Sequence, residues 1–423
     1  MKRCFAVTLV VLVCGTARAQ GAPSVRTVVR TSGDTTIAHT TGDVSDSQLR
    51  RLVLAWQASP DLADEGLTIG DINSMAVGPD GRVYVWDPAT PALWVVDANG
   101  KSIKRIMRQG AGPGEYVKNN NGIVFAHDGH VKMWDDGNVR INVYDADGRY
   151  LSSNPLGFNF CCPGGAITAD KQNRLWLRAA ILDKRAPRST SDVSIANQVT
   201  AYFRTNASGE VIDTVIAPKL PGNAAAVTAM KDAGGRTNLA SSIVPYSTAM
   251  IYAVSSNGHL VFGQGRPYTV HSTFNGKPLR IERDWTPVPV PHGERAQHRA
   301  RLESSMRRVD PDWEWSGPDV PAEKPAYRNL TVEHDGRIRV ALSVPSEEFS
   351  PTTPLRTTSG PALTYRAKEQ RWDIFEPDGR YLGRIVAPRT FGFYVMRGNF
   401  VWGVMRDEDD VPTIVKMRIV PGM

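Results

Sequence analysis

Residues 110–148 read GAGPGEYVKNNNGIVFAHDGHVKMWDDGNVRINVYDADG. A Gly/Pro-rich loop (Gly110, Gly112, Pro113, Gly114) is followed by three short apolar runs at 122–126, 131–134 and 141–144. Asp128-Gly129 and Asp147-Gly148 punctuate the runs, and Tyr150-Leu151 begins a fourth. Asp-Gly between alternating runs is a strong hairpin signal, and it predicts type I′ turns in which both central residues take positive φ. Four short antiparallel strands with this rhythm, repeated, predict a β-propeller.

The rhythm does repeat. The turns Asp80-Gly81 and Asn99-Gly100 lie 19 residues apart, as do those of the quoted stretch, and the two units are offset by 48. A looser third unit spans 166–216, and a fourth spans 249–285 with turns at Asn257-Gly258 and Asn275-Gly276. The fifth carries Asp335-Gly336 and Asp378-Gly379, and the sixth, from 391, lacks a fourth strand before the sequence stops. The expectation is an all-β, six-bladed propeller over 72–423. One strand of the lead-in (residues 20–71, with strand-like runs at 25–31, 35–39 and 49–56) would complete the last blade and remove two exposed edges. Residues 218–244, rich in Ala, Gly and Asn, read as a surface loop. Residues 294–308 hold good helix formers without Gly or Pro, with Ala296, Ala300, Leu302 and Met306 as a weak apolar stripe. They predict a short helical insertion around 292–310, within an irregular stretch reaching 325.

Residues 1–19 have the form of an export signal: Lys2 and Arg3, an apolar core at 5–13, and Ala17-Arg18-Ala19 as a small-x-small cleavage site. That core is short for a membrane span, and no later stretch qualifies. The expectation is a secreted or periplasmic monomer cleaved near Ala19. Losing Lys2, Arg3 and Arg18 lowers the formal charge from +7 to +4, with no dense basic stripe, which argues against a nucleic-acid partner. Cleavage leaves only Cys161 and Cys162, so neither a disulfide framework nor CxxC metal spacing exists. Neighbouring Cα atoms about 3.8 Å apart would strain a vicinal disulfide. Three readings stand for this pair: a stiff ring at the channel mouth, two small buried thiols, or a redox-active pair.

The residues Gly110, Gly112–Tyr116, Gly122-Ile123, Asp128-Gly129, Trp134-Asp135, Asn138, Arg140 and Val143-Tyr144-Asp145 resemble the NHL-type six-bladed propellers of secreted bacterial proteins. The resemblance is best in the second unit and weakest in the third and fourth. It implies scaffolds, ligand binders, lyases or lactone hydrolases, and fold alone chooses among none of these.

Propeller ligands sit at the channel mouth, which carries the loops leading into strand one and those following strand two. The residues aimed there are Asn73, Asp87, Asn120, Asn121, Asp136, Cys161, Cys162, Arg178, Tyr246, Tyr327 and Arg328. For Asp87 and Asp136 the competing reading is a local cap on the turn after each strand. His127, His130, His259 and His334 flank strand-one/strand-two turns and read as surface histidines on the opposite face. The Gly110–Gly114 loop leads into no helix, so it lacks the dipole of a phosphate cradle. Trp86, Trp134, Trp176 and Trp402 recur on strand two and read as packing between blades. With no catalytic signature, the leading expectation is a module that binds a small molecule or a protein. The alternative is a metal-assisted lactonase or lyase of the propeller type. No cofactor is indicated; a calcium-like ion held across blades by Asp, Asn and Glu would leave no spacing to read.

Overall fold

The strand-one/strand-two turns share one chemistry. In the computed structural model, which describes residues 25–45, 49–58, 69–90, 92–101, 103–119, 122–156, 167–182, 198–222, 224–233, 236–350 and 362–422, these turns close on a residue with positive φ. Gly81, Gly129, Gly258 and Gly336 adopt φ of +78° to +89°, and Asn173 replaces glycine in blade three at +59°. Each of their N–H groups donates to the carbonyl three residues back, as Gly129 does to Ala126 at 3.2 Å and Asn173 to Asp170 at 2.8 Å. The residue before each of these (Asp80, Asp128, Gln172, Asn257 and Asp335) is not in the positive-φ region, so these are type I turns ending in a left-handed residue rather than type I′ turns. Asn275-Gly276 keeps the expected form, with both residues at positive φ and Phe274 paired directly with Lys277.

Six four-stranded antiparallel sheets form the ring. Blade one comprises Ser74–Val77, Val83–Asp87, Ala92–Val96 and Ile103–Arg105. Blade two comprises Ile123–Phe125, Val131–Asp135, Arg140–Tyr144 and Tyr150–Pro155; blade three Thr168–Ala169, Leu175–Leu182, Gln198–Thr205 and Val211–Ile216. Blade four holds Ile251–Val254, Leu260–Gly263, Thr269–Phe274 and Lys277–Arg283; blade five Tyr327–Val332, Ile338–Leu342, Glu369–Phe375 and Tyr381–Pro388. Blade six has Phe391–Arg397, Phe400–Arg406 and Pro412–Pro421, and its fourth strand is Leu49–Ala58. This N-terminal strand pairs antiparallel with Pro412–Pro421 and, through Leu49 to Arg51, parallel with the outer strand of blade five. The remaining lead-in strands go elsewhere. Thr35–Thr41 lies parallel to the outer strand of blade four, with Arg26–Ser32 outside it.

The core is divided between blades. Tyr84, Trp86 and Leu93 of blade one pack on Tyr116, Phe125, Met133 and Tyr144, while Trp94 and Val85 on the other face pack on Trp402 and Val404 of blade six. The strand-two tryptophans are all buried at these interfaces. The Gly110–Gly114 loop is stitched to blade two: Arg140 donates to the carbonyls of Gly112 and Glu115 at 2.9 and 2.7 Å, and Tyr144 to Gly114 at 3.0 Å.

Two segments depart from the repeat. Residues 218–244 include a β-hairpin, Ala226–Ala233 with Arg236–Ile243, where a loop was expected. The helix His292–Arg307 packs on that hairpin, and Leu302 and Met306 meet Val227, Ala229 and Val244 there. The face in use is the i+4 row Glu294, His298, Leu302 and Met306, not the alanines. Its apolar half seats the helix, and its polar half faces a cavity. No helix among the described residues is long and apolar enough to cross a membrane.

Candidate functional site

Two cavities open among the blades, one on the axis and one beside it. The first strands of all six blades line an axial channel of about 550 Å³. At one end is Asn73. At the other, the strand-one/strand-two turns bring in His127, Ser256, His334 and Arg397. His127, Ser256 and His334 occupy one position, two residues before the turn glycine. That position turns toward the axis, so the expected surface histidines His127, half-buried, and His334, exposed, line the channel's end rather than pointing away from it. The imidazoles of His127 and His334, from opposite blades, meet with centroids 4.2 Å apart and planes tilted by 34°. Glu333, the carboxylate lining this channel, is occupied by Arg339 at 2.7 Å and by Met396 N–H at 2.9 Å. It acts as a bolt between blades five and six.

Desolvation pushes the His334 imidazole down to about 4, with Arg397, His127 and Lys171 acting in the same direction and Asp335 against it. Burial lowers His127 as well. A neutral folded imidazole and an unfolded one that protonates near 6.5 give a definite sign. Stability is unaffected above about pH 6.5 and is lost as pH falls toward 4, because the unfolded chain takes up the proton first. His334→Gln should flatten this loss in urea titrations between pH 6.5 and 4. An unchanged pH profile would contradict the assignment.

The second cavity, about 420 Å³, lies on the mouth face but off the axis, above blades four and five and beneath the helix. It gathers Tyr246 from the loop before blade four, Tyr327 and Arg328 from the start of blade five, Ser343 and Ser346 from the segment after its second strand, and Glu294 and His298 from the helix. Glu294 is 3% exposed. Its Oε1 accepts from the Tyr246 hydroxyl at 2.5 Å and from Ser346 Oγ at 3.0 Å, and Lys324 Nζ stands 3.6 Å away. Lys324 also donates to Ser346 Oγ and, at 3.1 Å, to the carbonyl of Val344. His298 Nε2 is 3.3 Å from the Tyr246 hydroxyl. Glu294 Oε2 is buried and has no hydrogen-bonding partner among the described residues.

Electrostatics follow from burial. Desolvation and the Glu294 hydrogen bond hold the Tyr246 phenol far above its ordinary range, so it stays a donor. Desolvation lowers His298, leaving it neutral, and lowers Lys324 against the opposing pull of Glu294. Among the described residues of the cavity wall, Lys324, Arg328 and Arg366 are the cations and Glu294 is the carboxylate, with Lys324 beside it. Arg366 lies 3.6 Å from Glu347, and Arg328 reaches Gln370 Oε1 at 3.3 Å.

The residues expected at the mouth divide. Asn73 lines the channel, while Tyr246, Tyr327 and Arg328 meet in the off-axis cavity. Tyr327 is fully buried and its hydroxyl is committed to the carbonyl of Thr269 at 2.6 Å. Asp87, fully buried, accepts from the N–H groups of Gly70, Asp71, Ala89 and Thr90 and from the Thr90 hydroxyl, so it caps its turn. Its counterpart in blade two is Asp135, which accepts from Val117, Lys118, Asn138 and Arg140, and not Asp136. Arg178 is half-buried on the second strand of blade three, apart from both cavities. Asn120, Asn121, Cys161, Cys162 and the export segment lie outside the described residues. Glu294, Lys324, His298 and Ser346 escaped the sequence reading, because each reads singly as a solvated polar residue. The one available signal was the i+4 spacing of Glu294 and His298 with Leu302 and Met306. Among the described residues no group of three or more His, Cys, Asp or Glu side chains converges to hold a metal.

Comparison of the whole sequence with curated proteins yields no match. Among solved structures the chain is similar to a member of the duf4221 family from Bacteroides vulgatus, at 12% identity over 88% of this chain and 99% of that one, with a TM-score of 0.47. It is also similar to a gluconolactonase from Xanthomonas campestris (12%, 82% and 86%, TM-score 0.39) and to virginiamycin B lyase from Staphylococcus aureus (11%, 88% and 99%, TM-score 0.38). These likenesses assign neither ligand nor reaction. The family model DUF5128, described as a 6-bladed beta-propeller, matches residues 64–215, in agreement with the ring of six blades seen here.

Proposed function

We propose that this propeller binds a small hydroxy-carboxylate, such as a sugar acid, in the cavity beneath the helix. The observation that carries the reading is Glu294 Oε2, a buried carboxylate oxygen left without a donor on the wall of a cavity whose other charged residues, among those described, are Lys324, Arg328 and Arg366. A buried acceptor without a partner costs about 1–3 kcal/mol, which a ligand donor would recover. Lys324 already stands beside Glu294. That makes a second ammonium an unfavourable neighbour and a hydroxyl a favourable one. Arg328 and Arg366 supply the complementary charge for a carboxylate, for which the guanidinium fork is suited.

The export signal read in residues 1–19 supports action outside the cytoplasm, and the absence of a dense basic stripe supports a small-molecule partner over nucleic acid. The NHL-type affiliation rests on the repeat motif of residues 110–148. Calorimetry against galacturonate, gluconate and malate tests the reading. Binding of at least one is expected, and Arg328→Ala should weaken it about 10- to 100-fold, the worth of a charge-assisted hydrogen bond. If none of the three binds at millimolar concentration, or Arg328→Ala binds as tightly as the parent, the reading is wrong.

A further inference from the structure

We infer that Ser346 is a nucleophile and that the cavity removes acyl groups from O-acylated hydroxy acids. The inference rests on the ligand reading above and deepens it. It starts from an arrangement that ligand binding alone does not require. Ser346 Oγ donates to Glu294 Oε1 at 3.0 Å and accepts from Lys324 Nζ, so a serine hydroxyl is held between a carboxylate and an amine. That is the geometry of an activated nucleophile: a base within reach of the proton, and a donor placed to stabilise the alkoxide as it forms. The base is itself oriented, because the Tyr246 hydroxyl holds the same Glu294 oxygen at 2.5 Å. Glu294 is also the third residue of its helix, where the N-terminal end of the dipole favours a carboxylate.

Structural use alone accounts less well for the cluster. A carboxylate placed only to seat the helix would have both oxygens satisfied, whereas Glu294 Oε2 is buried and unpartnered. Ser346 is half-buried on the cavity wall, so its Oγ is within reach of a bound molecule.

The step balances as follows. Ser346 Oγ attacks the ester carbonyl while its proton passes to Glu294. Lys324 holds Oγ as its proton leaves, and as the Oγ–carbon bond forms the carbonyl π pair moves onto the carbonyl oxygen, to return when the adduct collapses. The tetrahedral adduct collapses by breaking the bond to the alcohol oxygen, which takes the proton back from Glu294 and leaves as the free hydroxyl of the hydroxy acid. Water then attacks acyl-Ser346, giving its proton to Glu294, and the carboxylic acid departs as the Oγ–acyl bond breaks and the proton returns to Oγ. The sum is ester plus water giving acid plus alcohol. The released alcohol is the hydroxyl that Glu294 is placed to bind, and the carboxylate of the same molecule falls to Arg328.

Labelling of the full chain with a fluorophosphonate, read by peptide mass spectrometry, tests this, together with acetate release from O-acetylated galacturonate. The expected result is modification at Ser346, absent in Ser346→Ala and about 10²-fold slower in Glu294→Gln, the lower range for loss of a general base. If the parent chain binds galacturonate but Ser346 stays unlabelled and no acetate appears, the nucleophile is refuted and the binding reading survives. Labelling at Ser346 without galacturonate binding would refute the ligand class instead. Absence of both would remove both. The parent chain alone supplies these outcomes, so they hold even if a variant fails to fold.

Discussion

Asp373→Ala should cost about 3–5 kcal/mol of unfolding free energy, the range for leaving buried charge without its partner. Asp373 is fully buried between blades four and five. It accepts from Tyr268 and Tyr381 hydroxyls at 3.0 and 2.9 Å and from Arg384 Nε at 2.8 Å, with Arg283 Nη1 at 3.4 Å. Arg283 lies over the ring of Tyr381 at 4.8 Å and is itself buried. Without the carboxylate, two guanidinium groups would remain in a dry interface, facing two phenols that have lost their acceptor. Asp373→Asn keeps the shape but not the charge and should fall between parent and alanine. Urea midpoints with an unchanged slope would measure this. A loss below about 1 kcal/mol for alanine would mean that the interface admits water or relaxes. Because the candidate cavity straddles the same two blades, galacturonate affinity should fall with stability in this variant.

Deleting the chain through residue 58 should abolish the monomeric fold. Leu49–Ala58 is largely solvent-facing, so its apolar burial is modest. Its contribution is topological. It pairs with Pro412–Pro421 from Arg50 to Ala58 and bridges to Arg384, Ile385 and Val386 of blade five. Its end is anchored on blade one: Ala58 is buried in the core shared by blades six and one, and Trp56 covers Gly100 so closely that a Cβ there would come within 2.4 Å of the indole. The truncated chain would bare the edge of Pro412–Pro421, a template for pairing with another copy. Size-exclusion chromatography should show oligomers or aggregate, and a synthetic 49–58 peptide added in trans should recover some monomer. A truncated chain that elutes as a monomer with the parent's urea midpoint would show that the ring does not depend on this strand.

Legibility followed the range of the interaction concerned. The turns at Gly81, Gly129, Gly258 and Gly336 were readable because the need for a left-handed residue is local. Their type was misread, because Asp-Gly serves both a two-residue turn and a type I turn with a left-handed end. Asp87 and Asp135 were separable only by register: Trp86-Asp87 and Trp134-Asp135 align, and a second acid at Asp136 drew the reading one residue too far. The hairpin at 226–243 was hidden by small and polar residues, since its apolar partners come from the helix and from Trp313, distant in sequence. The meeting of His127 and His334 was hidden because a turn next to one strand gives no sign that the opposite blade's turn reaches it.

The candidate site was legible only in pieces. Tyr246, Tyr327 and Arg328 were found because the mouth-face loops can be counted from the strand rhythm. Glu294, Lys324 and Ser346 were not, since their order along the chain is separated by insertions with no repeat to anchor them.

The period of glycine turns and apolar strands determined a six-bladed ring and an N-terminal strand in the last blade, and the run of helix formers at 294–308 a helix near 292, because each depends on local backbone preference or on the count of sheet edges. Tertiary structure alone decided which lead-in strand closes the ring, that two histidines meet on the axis, and that a carboxylate, an amine and a serine share one cavity. Those outcomes depend on the angle at which the helix and hairpin lie over blades four and five, and no residue spacing encodes that angle.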